Sequence, residues 1–247
     1  MDDLDQLVRR ADEDRWLASR FAAAEVRARL ISIYALNYEL ARVVEAVTTP
    51  AAGDIRFAWW REALAEILAG ATVRAHPALQ ALARAHAQRP LDSQIVNALI
   101  DARMRELDGQ PFSTEAEREA YLGGTAGGVA RLAAAASGER GDADDELVWQ
   151  AGLAWGYAGL LRAEPAWRQR GWRVLIGAES TFDLAERAEN AHQAARAIGK
   201  MPARLMPALG YVALAPAYVR AAKRDAGAPS LFSRQLKLVL TAASGQL

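Results

Sequence analysis

The sequence predicts an all-α protein, and three observations carry that prediction. The chain is rich in Ala, Leu, Arg and Glu, which lose little on entering a helix. Apolar residues recur at helical spacing through most of its length. No run alternates apolar and polar residues with period two, and no Asn-Gly or Asp-Gly turn is flanked by such runs. A hydrophobic share of 52% over 247 residues is ample for a buried core. No repeat of solenoid length is visible, so the expectation is one helical domain over residues 1–247.

Taken in order, residues 1–13 read as a short polar lead-in of one or two helical turns, with Asp14 as the cap of the next helix. Trp16, Leu17, Phe21, Val26, Leu30 and Ile33 then mark one amphipathic helix through Glu45, stopped near Thr48-Thr49-Pro50. A helix over Ile55–Leu68 ends at Gly70, with Trp59 and Trp60 on different faces. His76-Pro77 opens a short helix closed by Pro90, and Asp92 or Ser93 caps the next, to about Leu107. Thr114 with Glu117 resembles a capping box and starts a helix through Leu132.

The polar stretch Ser137–Asp144 is the best candidate boundary, but it has the length of a loop rather than a linker. Glu146–Leu161 is helical, and Pro165 is expected to break or restart that helix. Gly177 marks a turn, and Thr181–Ile198 is a helix ended by Gly199. Met201–Arg224 carries three prolines and reads as helix in pieces. Ser230 or Ser233 caps a terminal helix within 230–247.

Composition excludes several function classes. With 30 basic and 30 acidic residues the net charge is zero, so no overall field attracts nucleic acid. Cysteine is absent, which removes disulfides, thiolate catalysis and cysteine-bound metals. The start, MDDLDQLVRR, is acidic and has no apolar core of the signal-peptide kind. The longest charge-free runs, Leu147–Leu161 and Leu205–Val219, fall short of the roughly 20 residues of a membrane span. The three histidines have no metal-binding spacing, no serine lies in a GxSxG elbow, and no Walker loop is present.

Two helical stretches hold the chemistry that remains. Asn37, Ala41 and Glu45 are spaced by four, as are Gly159, Ala163 and Trp167, so each set lines one helix face. Facing helices with carboxylates at such positions hold magnesium and a diphosphate well, but only Glu45 of the six is acidic. Gly123, Gly124, Gly127 and Gly128 interrupt a helical pattern at about 1 kcal/mol each against Ala. Close helix packing is the favoured reason, and a groove for a long apolar ligand is the other. Arg162, Arg168, Arg170 and Arg173 form a basic cluster that suits phosphate, although a solvated helix end explains it more simply.

Several stretches in order resemble the squalene/phytoene synthase family. They are Tyr34-Ala35, Arg56–Leu64 (RFAWWREAL), Leu99–Leu107 (LIDARMREL), Tyr121 with Ala126-Gly127 and Val129, and Ala151–Gly171. The resemblance implies an isoprenoid-synthase fold, a helical bundle with a central apolar cavity. It also implies head-to-head joining of two prenyl diphosphates through a cyclopropyl intermediate. In such enzymes two aspartate-rich motifs bind magnesium, which neutralises the departing diphosphate.

Carried onto this chain, the first motif falls on Ala41 and Glu45 and the second on Ala163 and Trp167, with Gly159 where the family has Asn. Arg162, Glu106, Tyr121 and Gly127 match the family. On this template Tyr34, Asn37, Glu45, Glu106, Tyr121, Gly127, Arg162 and Arg168 border the cavity, and Tyr38, Trp155 and Tyr157 join Tyr34 as its aromatic lining. No catalytic or metal-binding residue is assigned.

The altered motifs and the tail Leu205–Tyr218 look more like a divergent branch, whose known members are mitochondrial complex I assembly factors. What the resemblance then implies is a bacterial, cytoplasmic protein, peripheral at most to the inner membrane. It binds a partner protein or a prenyl lipid and needs no cofactor. The alternative is an active prenyltransferase, and only that requires magnesium.

Overall fold

A computed structural model describes residues 3–138 and 141–247, and among them the regular structure is entirely helical. The helices in order are α1 (Asp3–Ala11), α2 (Glu13–Ser19), α3 (Ala24–Ala46), α4 (Pro50–Leu68), α5 (Pro77–Gln88), α6 (Ser93–Asp108) and α7 (Glu115–Gly124). They continue with α8 (Ala126–Ser137), α9 (Asp142–Gln169), α10 (Thr181–Ala197), α11 (Met206–Leu209), α12 (Ala215–Lys223) and α13 (Leu231–Ser244). Short 3₁₀ turns at Ala203–Leu205 and Gly210–Leu214 complete the proline-containing stretch.

The long helix α9 is the axis of the bundle. It packs on α8 along one side and on α10 along another, while α3 lies against α5 and α8. Its stretch from Val148 to Leu161 is buried apart from Trp149, Gln150 and Gly159, which are half-buried. The apolar stretch Ala203–Lys223 is long and apolar enough to cross a membrane, but most of it is buried in this core.

Several elements differ from the sequence reading, each for a local reason. The lead-in is a packed helix, because Leu4 and Val8 share a face and are buried. Asp12, not Asp14, caps α2, accepting from the Arg15 N–H. Asp14 is buried and binds the Tyr218 hydroxyl at 2.5 Å and Arg234 at 2.8 Å. The long first helix is two helices. The five-residue step from Phe21 to Val26 loses the helical face, and Phe21 is exposed where the chain turns.

Helix α4 starts at Pro50 rather than Ile55, since Thr49 caps it and proline suits the first helical position. The helix expected over 114–132 is interrupted at Thr125, whose hydroxyl donates to the Tyr121 carbonyl at 2.8 Å. Pro165 does not break α9. The helix runs on to Gln169 although the proline leaves the Leu161 carbonyl without its intrahelical N–H, and the chain turns only at Gly171, with φ +81°. Of the stretch Ser137–Asp144, residues 139–140 lie outside the described residues, and α8 and α9 claim both of its ends.

Gly123, Gly124 and Gly127 serve packing, whereas a Cβ at Gly128 would meet only ordinary contacts at 3.7 Å. An added Cβ at Gly124 would lie 2.7 Å from the Ala102 Cβ, and one at Gly123 would lie 2.8 Å from the Trp149 ring. Gly127 meets Gly152 of α9 backbone to backbone, since a Cβ on Gly152 would approach the Gly127 Cα to 2.7 Å. Helices α8 and α9 therefore cross with no side chain between them.

Candidate functional site

Helices α2, α3, α6, α7 and α9 enclose a chamber of about 180 Å³ beside Trp167. Gly159 and Ala163 form its α9 wall, and Asn37 faces it from α3. Its charged lining is two arginines, Arg15 and Arg103, and no carboxylate lines it. That volume is below the roughly 300 Å³ at which pockets for drug-sized ligands begin, so it suits a headgroup rather than two long prenyl chains.

Both guanidiniums are fixed from behind. Arg15 is buried, bonds Asp12 at 2.6 Å, and lies among the rings of Tyr211 (4.9 Å), Tyr34 (5.8 Å) and Trp155 (6.0 Å). Burial works against its charge, but Asp12 and Tyr211 outweigh burial and its pKa is raised. Arg103 donates to Glu106 at 2.7 Å and to Asn37 at 3.1 Å. Burial opposes this charge too, and Glu106 more than offsets it. Tyr121 donates to the same Glu106 oxygen at 2.8 Å, and burial, then Glu106, raises its pKa so that it remains a donor.

Some polar atoms around the chamber lack partners. The Nε of Arg15, the Nε of Arg103 and the hydroxyls of Tyr34 and Tyr211 are buried without a hydrogen bond among the described residues. An unpaired buried donor costs about 1–3 kcal/mol. Burial also raises the Tyr34 pKa, keeping its hydroxyl protonated. Of these four residues only Arg15 and Arg103 line the chamber, and the two tyrosine hydroxyls lie off its lining.

Trp167 stands between this chamber and a second cavity of about 230 Å³, and it lines both. Its ring meets Tyr121 edge-on at 6.4 Å and Trp172 at 4.5 Å. The second cavity has Ala41 and Glu45 on α3, Arg103 and Glu106 on α6, and Arg170 beyond the end of α9.

The sequence-derived residues are therefore divided. Asn37 and Tyr121 line the chamber, and Glu45 and Glu106 line the second cavity. Tyr34 is buried behind Arg15, and Gly127 is in the α8/α9 crossing. Arg162 stacks on Trp155 and Tyr218 at 4.9 and 4.4 Å and is on neither lining, while Arg168 is largely exposed and pairs with Glu164 at 3.5 Å. Of the proposed aromatic lining only Trp155 reaches the chamber; Tyr157 instead donates to Glu115 at 2.5 Å.

Arg15 and Arg103 were missed by sequence reasoning. The spacing of Arg103 to Glu106 was readable as a helical i, i+3 pair. Nothing local marked Arg15, whose environment comes from distant elements.

Magnesium does not fit these residues. It needs near-octahedral oxygen ligation, including carboxylates free to coordinate. Ala41, Ala163 and Trp167 offer none, Glu45 is exposed, and Glu106 is engaged by Arg103 and Tyr121. No cluster of three potential ligands exists among the described residues.

Comparison with known proteins accords with this architecture. The chain is 26% identical over 160 residues to complex I assembly factor 6 of rat and of human, covering 65% of this chain and 48% of each relative. The chain thus spans about half the length of these curated relatives. It shares its fold with squalene synthase HpnC from Alicyclobacillus acidocaldarius, at TM-score 0.75 and 20% identity over 90% of this chain and 92% of that one. A dehydrosqualene synthase solved with a ligand aligns at TM-score 0.77 and 15% identity, over 97% of this chain and 94% of that one. The squalene/phytoene synthase family model matches residues 8–181, and the chain belongs to that family.

Proposed function

We propose that this protein is a family member without prenyl-diphosphate chemistry, acting by binding a partner protein or a prenyl lipid as an assembly factor does. The observation that carries the reading is the donor set at the two facing helices, where Ala41, Ala163 and Trp167 occupy positions that the family template gives to metal-binding aspartates. Ionising an allylic diphosphate requires its departing charge to be neutralised in a water-poor site. Here the cations on the chamber lining are Arg15 and Arg103, and each already faces a carboxylate. The similarity to complex I assembly factor 6 supports a role exercised through a protein partner.

The alternative is an active magnesium-dependent prenyltransferase, favoured by Glu45, Glu106 and Arg170 sharing one cavity. The deciding experiment incubates the folded protein with farnesyl or geranylgeranyl diphosphate, with and without magnesium, and measures released pyrophosphate and apolar product. No release is expected. Magnesium-dependent release would refute the reading and make Glu45 and Glu106 the first residues to mutate. A variant carrying Ala41→Asp, Ala163→Asp and Trp167→Asp should bind magnesium-diphosphate more tightly than the parent. Equal affinity would mean that these positions are misplaced.

A further inference from the structure

A second basic pocket lies away from the chamber, between α10, α12 and α13, with a volume of about 360 Å³. Arg196 of α10, Arg220 of α12 and Lys237 of α13 line it, together with His192 and Ser233. None of the three cations forms an ion pair among the described residues, and no Asp or Glu side chain lines the pocket. Arg234, also on the wall, is already neutralised by Asp14 at 2.8 Å and Glu13 at 2.6 Å.

The cations are close enough to repel one another. Burial, then Arg196 and Arg220, lowers the Lys237 pKa, and burial, then Lys237 and Arg196, pushes His192 down to about 4. A site that holds like charges together with no Asp or Glu side chain on its lining is poised for an anion.

The same helix supplies a second, independent feature. Helix α13 buries Leu238 and Thr241 and presents Phe232, Leu236, Val239 and Leu240 outward. Phe232 is 75% exposed and Leu240 is 56% exposed. At about 100° per residue these four share one face, and Ser233 and Lys237 lie along its edge on the pocket side. The apolar stripe and the basic pocket are therefore side by side on one surface.

We propose that α13 and this pocket form a docking surface for an anionic phospholipid bilayer, with the stripe entering the interface and Arg196, Arg220 and Lys237 receiving a lipid phosphate. An apolar helical face edged by unpaired cations is the pattern of an interfacial helix. A two-fold pairing of this face with a second copy would bring its unneutralised cations together, which disfavours that occupant.

The test is co-sedimentation of the whole protein with vesicles of phosphatidylcholine alone and of phosphatidylcholine mixed with phosphatidylglycerol. The protein should pellet with the anionic vesicles and be released by high salt. Removing all three cations together (Arg196→Gln, Arg220→Gln and Lys237→Gln) should lower partitioning roughly a hundredfold. It should not lower the thermal midpoint, because the change relieves repulsion. Phe232→Ser with Leu240→Ser should weaken binding roughly tenfold or more. Failure to pellet with anionic vesicles would overturn the proposal, as would undiminished binding by the charge-removed variant. A thermal shift with inorganic phosphate but no vesicle binding, or a dimer that Phe232→Ser dissociates in protein that ignores vesicles, would overturn it equally.

Discussion

The α8/α9 crossing can be tested with two glycines of one helix. An alanine at Gly152 would set its Cβ 2.7 Å from the Gly127 Cα and 3.3 Å from the Gly127 N. Carbon atoms in contact prefer about 3.5–4.0 Å, so the two backbones must part by about 1 Å. Overpacking of this kind costs about 1–3 kcal/mol, partly offset by about 1 kcal/mol of helix propensity. The net expectation is a loss of up to about 2 kcal/mol. Gly159, two turns along, would meet nothing within 4 Å, because its position faces the chamber. Gly159→Ala should therefore gain about 0.5–1 kcal/mol. Urea denaturation of the parent and both variants measures this through the midpoint at constant slope. Opposite signs are expected. If Gly152→Ala is as stable as Gly159→Ala, the backbone contact on which the architecture rests is not present.

Buried charge gives two further stability predictions. Arg118 is fully buried and binds Glu115, Glu179 and the Val174 carbonyl, tying α7 to the segment after α9. Arg118→Met should cost about 1–3 kcal/mol by removing a charge-assisted hydrogen-bond hub, less than a fully unpaired charge because Arg187 still reaches both Glu115 and Glu179, as read by urea denaturation. Burial alone would raise the Glu179 pKa, but Arg118 and the Ile176 N–H outweigh it and the value is lowered. Its stabilising contribution is therefore complete above the unfolded carboxylate range and is lost as pH falls through the folded value, and Arg118→Met should diminish that dependence. His192 has the opposite chemistry and the same direction. Its folded pKa of about 4 is below the unfolded value, so the unfolded state gains protons first and stability falls between pH of about 6.5 and 4. The loss should be about 2 kcal/mol after allowance for screening, and His192→Gln should abolish it in urea midpoints compared across that range.

The sequence by itself determined the helical class, the family and those helix ends that carry their own caps or breakers, as in α5, α6 and α10. Helix propensity, apolar spacing and caps such as Asp92 and Thr114 act within a few residues, so their consequences are local. It also exposed the absence of carboxylates at Ala41, Ala163 and Trp167, because side-chain chemistry needs no coordinates to read.

The tertiary structure decided what depends on distant elements meeting. Asp14 read as a cap, but Tyr218 and Arg234 reach it from more than two hundred residues along the chain and make it an anchor for α13. Arg15 looked like any polar residue of an N-terminal helix until Tyr34, Trp155 and Tyr211 surrounded it. The basic pocket is likewise invisible in one dimension, since its cations come from three helices and only packing withholds a counter-charge. Local physics specifies elements; the relative placement of those elements, set by burial of α9 and its glycine crossing, specifies the environments of their charges.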